Sequence, residues 1–244
     1  MTSYDVIEYL DELILRDDIS PTTRNNYRRY IGTLFIQMRK RGFVNENPAE
    51  EVDKLVTTEK EYRSFTREDY EKVSNYFLQN DLQMWRYCQF IYYGFLRPVD
   101  ICRLRIENIR MDKRVILVPP TNTKTRKFKP VEITKSLRKV IEGMKLYKYP
   151  DHYRVFSRDW QPGEEFLWRN RATEKHRAAL EKLGLYNGIY DLYSHKHTGN
   201  EMALLAGMDV YWIMRQNRHS SLEQTMIYLR GLGVIRPEAQ EKDW

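Results

Sequence analysis

The chain has 244 residues, 41% hydrophobic and 13% aromatic, enough for a sizeable core and too rich in large side chains for a disordered segment. Its 41 lysines and arginines outnumber 34 aspartates and glutamates, a formal charge of +7, so a polyanion is the expected partner. Cys88 and Cys102 both sit in apolar helical patterns, no Cys/His cluster has zinc spacing, and no stretch approaches the roughly 18 apolar residues of a membrane span. The acidic start (Asp5, Glu8, Asp11, Glu12) is neither a signal nor a transit peptide, so a disulfide framework, a zinc finger and a membrane or secreted protein are excluded in favour of a cytoplasmic one.

Along the chain, residues 4–17 place Val6, Leu10, Leu13 and Ile14 on one helical face. A second helix takes Ser20 as N-cap and Pro21 at its first position, stops at Gly42, and carries the stripe Tyr27, Ile31, Leu34, Phe35 and Met38. A third, short helix is expected from Asn47-Pro48 with Val52, Leu55 and Val56. Arg24, Arg28, Arg29, Arg39, Lys40 and Arg41 lie mostly off the apolar stripe, either as a solvated face or as phosphate contacts. The polar stretch Thr57 to Ser64 then separates a small helical domain, residues 1–58, from a larger one, residues 65–244.

In the larger domain Thr66 caps a helix to about Leu78, and an apolar helix follows from about Leu82 to Leu96. Pro98 opens a short helix holding Ile101 and Leu104. The period then changes, and residues 115–118 and 130–133 read as strands flanking a basic turn, Thr121 to Lys129. Helices are expected at about 134–147 and 164–183, with a run of short helices from about 196. The fold class is therefore mostly α with a small antiparallel β-sheet.

Four features occur in order: GFLRPVDICRL at 94–104, TNTKTRKFKPVEI at 121–133, YSHKHTGNEMALLAGMD at 193–209 and RHSSLEQTMIYL at 218–229. Each alone is weak, since a lone Arg, Lys, His or Tyr in such surroundings is more often structural. In this order they resemble the tyrosine recombinases, the phage integrase family of site-specific DNA recombinases. That family carries G-L-R-x-x-E/D-L-x-x-L, a β-hairpin lysine, an H-x-x-R-H-T box, a G-H-x-S loop and a nucleophilic tyrosine. Arg97 with Asp100 and Leu104 matches the first motif, Lys124 the hairpin lysine, His219-Ser220-Ser221 the loop, and Tyr228 the nucleophile nine residues on. The run AGMDVYWIMRQNRHSS follows the family spacing too, with Arg218 in place of the loop glycine. In the box, Lys196 stands at the second arginine's place. Tyr193 stands at the first histidine's place; it is preferred over His195, because three residues return a side chain to the same helical face and one does not.

The resemblance implies a tyrosine-recombinase-like catalytic domain preceded by a small helical core-binding domain, the two clamping double-stranded DNA. Many members carry a further N-terminal arm-binding domain, whereas helical periodicity here begins almost at Met1. Attack by a phenol on a phosphodiester puts extra charge on the non-bridging oxygens, and the sequence offers no obvious carboxylate pair to hold magnesium for it. Arg97, Lys196, His219 and Tyr193 would then donate to those oxygens, Lys124 would protonate the leaving 5′ oxygen, and Tyr228 would form the 3′-phosphotyrosyl link without metal, cofactor or ATP. Arg24, Arg28, Arg126 and Lys127 are candidate DNA contacts. The implied assembly is a tetramer on DNA, nucleoid-associated when bound, with possible accessory DNA-bending proteins, and the implied purpose is integration or excision of a mobile element. A catalytically impaired DNA-binding module and a type IB topoisomerase-like relaxase are the alternatives.

Overall fold

The computed structural model describes residues 1–57, 63–120 and 128–234, and the chain divides into two compact units, Met1–Lys60 and Glu61–Trp244. Lys124, Arg126 and Lys127 lie outside the described residues. Among the described residues, no helix is long and apolar enough to cross a membrane.

In the first unit, α1 (Ser3–Asp17) starts on a reciprocal cap: the Asp5 N–H donates to the Thr2 hydroxyl at 3.2 Å and the Thr2 N–H to the Asp5 carboxylate at 2.7 Å. Its face of Val6, Leu10 and Leu13 is buried with Ala49 and Val52. α2 (Pro21–Lys40) starts, as expected, on Ser20 and Pro21. Its apolar stripe, however, is not the buried face. Leu34 is 58% exposed and Tyr27 is exposed, while Ile31 packs against the small core and Arg24 is the buried residue of the helix.

The short helix expected from Asn47 does not form, and residues 44–57 run as turns and extended chain. Side chains of α2 supply the partners that a helix would take from its own backbone. Arg24 Nη1 donates to the Asp53 carbonyl at 3.1 Å and Arg28 Nε to that of Val52. Asn25 exchanges two bonds with Leu55, at 2.9 and 3.0 Å. Held this way, the segment buries Val52 and turns Val56 outward, 94% exposed.

The second unit begins with α3 (Arg67–Asn80), capped by Thr66, and α4 (Leu82–Gly94), capped by Asp81. Then come α5 (Pro98–Arg103) and a three-stranded antiparallel sheet of β1 (Ile109–Arg110), β2 (Val115–Val118) and β3 (Lys129–Glu132), in that order. Ile116 stands opposite Ile109 on one side and Val131 on the other. β1 escapes sequence reading because two residues show no alternation. α6 (Lys135–Gly143), capped by Thr134, is shorter than expected, and α7 (Arg169–Lys182) begins five residues later than 164. α8 (Ser194–Leu205), α9 (Val210–Asn217) and α10 (Leu222–Gly231) complete the unit.

The main core gathers α3 to α7 and the sheet around Phe77, Tyr87, Phe90, Ile101, Ile116, Leu137 and Phe156. α8 lies so close to α4 that a Cβ on Gly199 would stand 2.1 Å from the Tyr92 carbonyl oxygen, a contact only glycine permits. A second, smaller core of Phe95, Ile213, Tyr228 and Leu229 joins the end of α4 to α9 and α10. Gln216 of α9 fastens the edge of β3, accepting from the Glu132 N–H and donating to its carbonyl, both at 2.9 Å.

Candidate active site

The site is built at the seam between these two cores. α4 ends at Phe95, whose backbone is left-handed (φ 50°, ψ 27°) and whose ring is buried in the smaller core. A bulky residue in that region carries strain on the order of 1 kcal/mol or more, offset here by the ring's burial. The turn delivers Arg97 to the N-cap of α5, directly before Pro98, whose fixed φ suits the first helical position. Asp100, one turn on and buried, accepts from the Arg97 N–H at 3.3 Å.

α8 carries Lys196 beneath this turn. The side chain is buried and its Nζ donates to the Phe95 carbonyl at 3.0 Å. Burial, reinforced by the charges of Arg97 and Arg218, pushes its ammonium well below the usual lysine range, while Asp100 opposes. Asn200 donates to the Lys196 carbonyl at 2.8 Å and Gly199 sets α8 against α4, so the lysine rides on a rigid support.

Tyr193 and His195 part company on α8. Tyr193, at the N-cap, lies in the field of Arg97 and Asp100, and burial raises its phenol. His195 is fully buried on the opposite side, its Nε2 3.1 Å from that of His176, with Phe65 and Tyr70 around it. Burial depresses both imidazoles, His176 to about 4. His195 is thus a core residue.

α9 and α10 close the site. Arg218 is the C-cap of α9 with left-handed backbone (φ 61°, ψ 32°). Its side chain is 4% exposed and folds inward, Nη2 lying 2.5 Å from Asp100 Oδ2. His219 follows, its Nδ1 2.9 Å from the Thr225 hydroxyl and its ring edge-on to Tyr228 at 5.6 Å between centroids. Burial, then the charges of Lys196, Arg97, Arg218 and Lys129, push the His219 imidazole down to about 4, so it is neutral near pH 7. Lys129, opening β3, donates its Nζ to the Arg218 carbonyl at 3.4 Å. Tyr228 is 8% exposed, and its hydroxyl is 2.8 Å from His197 Nδ1.

The fold therefore brings Arg97, Lys196, Tyr193, His219 and Tyr228 into one neighbourhood, linked by their mutual charges and by the contact of His219 with Tyr228. Arg24 and Arg28 have a different setting. Both belong to the first unit, and their guanidinium groups hold the 52–53 backbone; Arg24 also binds Asp11 through Nε and Nη2 at 3.2 and 3.0 Å. The expectation of Arg24 as a DNA contact is thus corrected, because its buried guanidinium already has partners on three nitrogens. Three residues of the site were not anticipated. His197 reads in sequence as a solitary polar histidine, and its partner is 31 residues away. Lys129 reads as the end of a basic turn. Arg218 reads as a replaced glycine, although its place beside His219 was a signal that it reaches the same pocket.

The phage integrase family model matches residues 56–232. No curated protein matches the sequence. Among solved structures, a Tn1549 transposon integrase in complex with transposon right-end DNA is 15% identical, with 93% of this chain and 80% of that one covered and a TM-score of 0.72. A lambda integrase dimer bound to a COC′ core site is 12% identical over 100% of this chain and 67% of that one, TM-score 0.71. A lambda integrase tetramer bound to a Holliday junction is 13% identical over 91% and 65%, TM-score 0.68. At these identities the likenesses establish the fold, a mostly helical unit with a small antiparallel sheet shared with tyrosine recombinases. With the family model spanning most of its length, the chain belongs to the phage integrase family.

Proposed function

We propose that this protein is a site-specific tyrosine recombinase that cuts and rejoins double-stranded DNA through Tyr228. The observation that carries this reading is the gathering of Arg97, Lys196 and Arg218 in the field of His219, whose ring lies against Tyr228. Three cations that share the single carboxylate of Asp100 leave room for a further anion, and a phosphodiester is an anion of the right size. A membership in which relatives are seen on a core site, on transposon-end DNA and on a Holliday junction supports the same substrate.

In the proposed reaction the Tyr228 oxygen bonds to phosphorus as the bond from phosphorus to the 5′ oxygen breaks. The phenolic proton passes to His197 Nδ1, the base already 2.8 Å away. The 5′ oxygen takes a proton from Lys124, which the resemblance assigns to the hairpin. Arg97, Lys196, His219 and Tyr193 donate to the non-bridging oxygens. The phosphotyrosyl bond stores the energy of the broken linkage, so an incoming 5′ hydroxyl reverses the steps with no metal, cofactor or ATP required. Tyr228 must first leave its burial. α10 buries only Thr225, Tyr228 and Leu229 of its ten residues, an attachment light enough to shift when DNA binds. The first unit would serve as the core-binding domain and residues 65–244 as the catalytic domain, in a tetramer on DNA that integrates or excises a mobile element, aided by DNA-bending proteins, in the cytoplasm at the nucleoid.

The test uses nicked duplexes with a randomised central segment, from which covalent adducts are captured under denaturing conditions and sequenced. The expected result is enrichment of a defined site by the wild-type chain and no adduct with Tyr228→Phe. Adduct formation by Tyr228→Phe would refute the assigned nucleophile. Adducts on every sequence alike would favour a relaxase, and binding with no adduct a non-catalytic module.

A further inference from the structure

Arg218 is in an unusual position on three counts. Its backbone is left-handed, a conformation that favours glycine, so an arginine there is strained. Its side chain, instead of extending from the surface turn into water, is 4% exposed. Its guanidinium is only partly used: Nη2 binds Asp100, while Nη1 is buried with no hydrogen-bond partner among the described residues. A buried guanidinium nitrogen left unpaired is destabilising, and strain combined with an orphaned donor points to a ligand that arrives later. The direction is defined by its neighbours. Asp100, which holds Nη2, also accepts from the Arg97 N–H, and Arg218 acts electrostatically on both Lys196 and His219.

We infer that Arg218 is a catalytic residue, a second guanidinium that donates through Nη1 to a non-bridging oxygen of the scissile phosphate beside Arg97. This rests on the tyrosine recombinase reading and deepens it. Lys196 presents a point charge, already engaged with the Phe95 carbonyl, and so holds an oxygen with little angular control. Arg218 supplies the planar fork, with Asp100 fixing its plane by binding one nitrogen and leaving the other for the phosphate. It transfers no proton and forms no bond. Its contribution is to charge developing in the transition state, the kind that falls away if the oxygen carries no charge.

The experiment takes the DNA site enriched by the wild-type chain and places at its scissile position either the ordinary phosphate or a methylphosphonate, which replaces one charged oxygen by methyl. Single-turnover cleavage is measured for wild type, Arg218→Lys and Arg218→Gly, the last also combined with Lys196→Arg. On phosphate, Arg218→Lys is expected to slow cleavage by about 10–100-fold and Arg218→Gly by about 100-fold or more. On methylphosphonate the deficit of both should shrink to about threefold or less, and Lys196→Arg should recover part of the Arg218→Gly loss on phosphate. A merely structural Arg218 would slow both substrates equally, and that result, or wild-type rates on phosphate, overturns the proposal. If Arg218→Gly fails to fold because Asp100 is left unpaired, Arg218→Lys, which keeps a cation against Asp100, decides the matter on the same two substrates. A wild-type chain that forms no adduct at all defeats the recombinase reading, and this assignment with it, before any Arg218 variant is compared.

Discussion

The two units each bury an arginine, and the two are used in opposite ways. Arg24 lies in the first unit with Asp11 on Nε and Nη2 and the Asp53 carbonyl on Nη1. Arg218 lies in the second with Asp100 on Nη2 and, among the described residues, nothing on Nη1. Both are removed from water and both have one carboxylate. A guanidinium bonded all round is a joint, which fixes the segment after α2 where no helix forms. One with an orphaned nitrogen, beside two other cations and a depressed histidine, has capacity for an anion. In a buried cation, what matters is the account of its donors, not its charge alone.

The contrast can be broken most severely by acid. The His176–His195 pair is a third kind of buried polar group, held neutral in the core. In the unfolded chain an imidazole binds a proton below about 6.5, whereas folded His176 does so only near 4. Between those values the unfolded state holds more protons, so stability should fall as pH drops through that window, by about 3 kcal/mol for a group as buried as His176. Denaturant unfolding at pH 7.5, 5.5 and 4.5 measures it; a flat profile would mean that this pair is already open to water.

Arg24→Ala sharpens the comparison directly. It should destabilise the chain by about 2 kcal/mol, since the Asp53 carbonyl and Asp11 lose their partner and Asp11 is half in water already. DNA affinity should keep its salt dependence. A slope reduced by about one charge would instead make Arg24 a phosphate contact after all.

Gly199→Ala probes the support under Lys196 rather than its charge. The added methyl meets the Tyr92 carbonyl, so a loss of about 1–3 kcal/mol is expected in thermal unfolding, with cleavage slowed in step with the displacement of α8. Unchanged stability would show that α4 and α8 are free to separate. The smallest effect is expected for Asn25→Ala, about 1 kcal/mol for the two bonds to Leu55, confined to the first unit and silent in cleavage of saturating DNA.

Local chemistry made much of this molecule legible in its residues. Helix starts at Ser20-Pro21, Thr66, Pro98 and Thr134 are decided within one turn by a capping oxygen or a fixed φ, and each falls where the caps lie. Arg97, Lys196, His219 and Tyr228 could be named from the resemblance to the tyrosine recombinases, because four short motifs occur in that family's order. Tertiary structure alone decided the rest. The stripe of α2 is apolar by period, yet Tyr27 and Leu34 on it are exposed, and the expected helix at Asn47 is replaced by chain that binds α2 side chains. His197 meets Tyr228 across 31 residues and Arg218 meets Asp100 across 118. Such pairings depend on which surfaces the two cores bring face to face, and no period shorter than the fold itself encodes them.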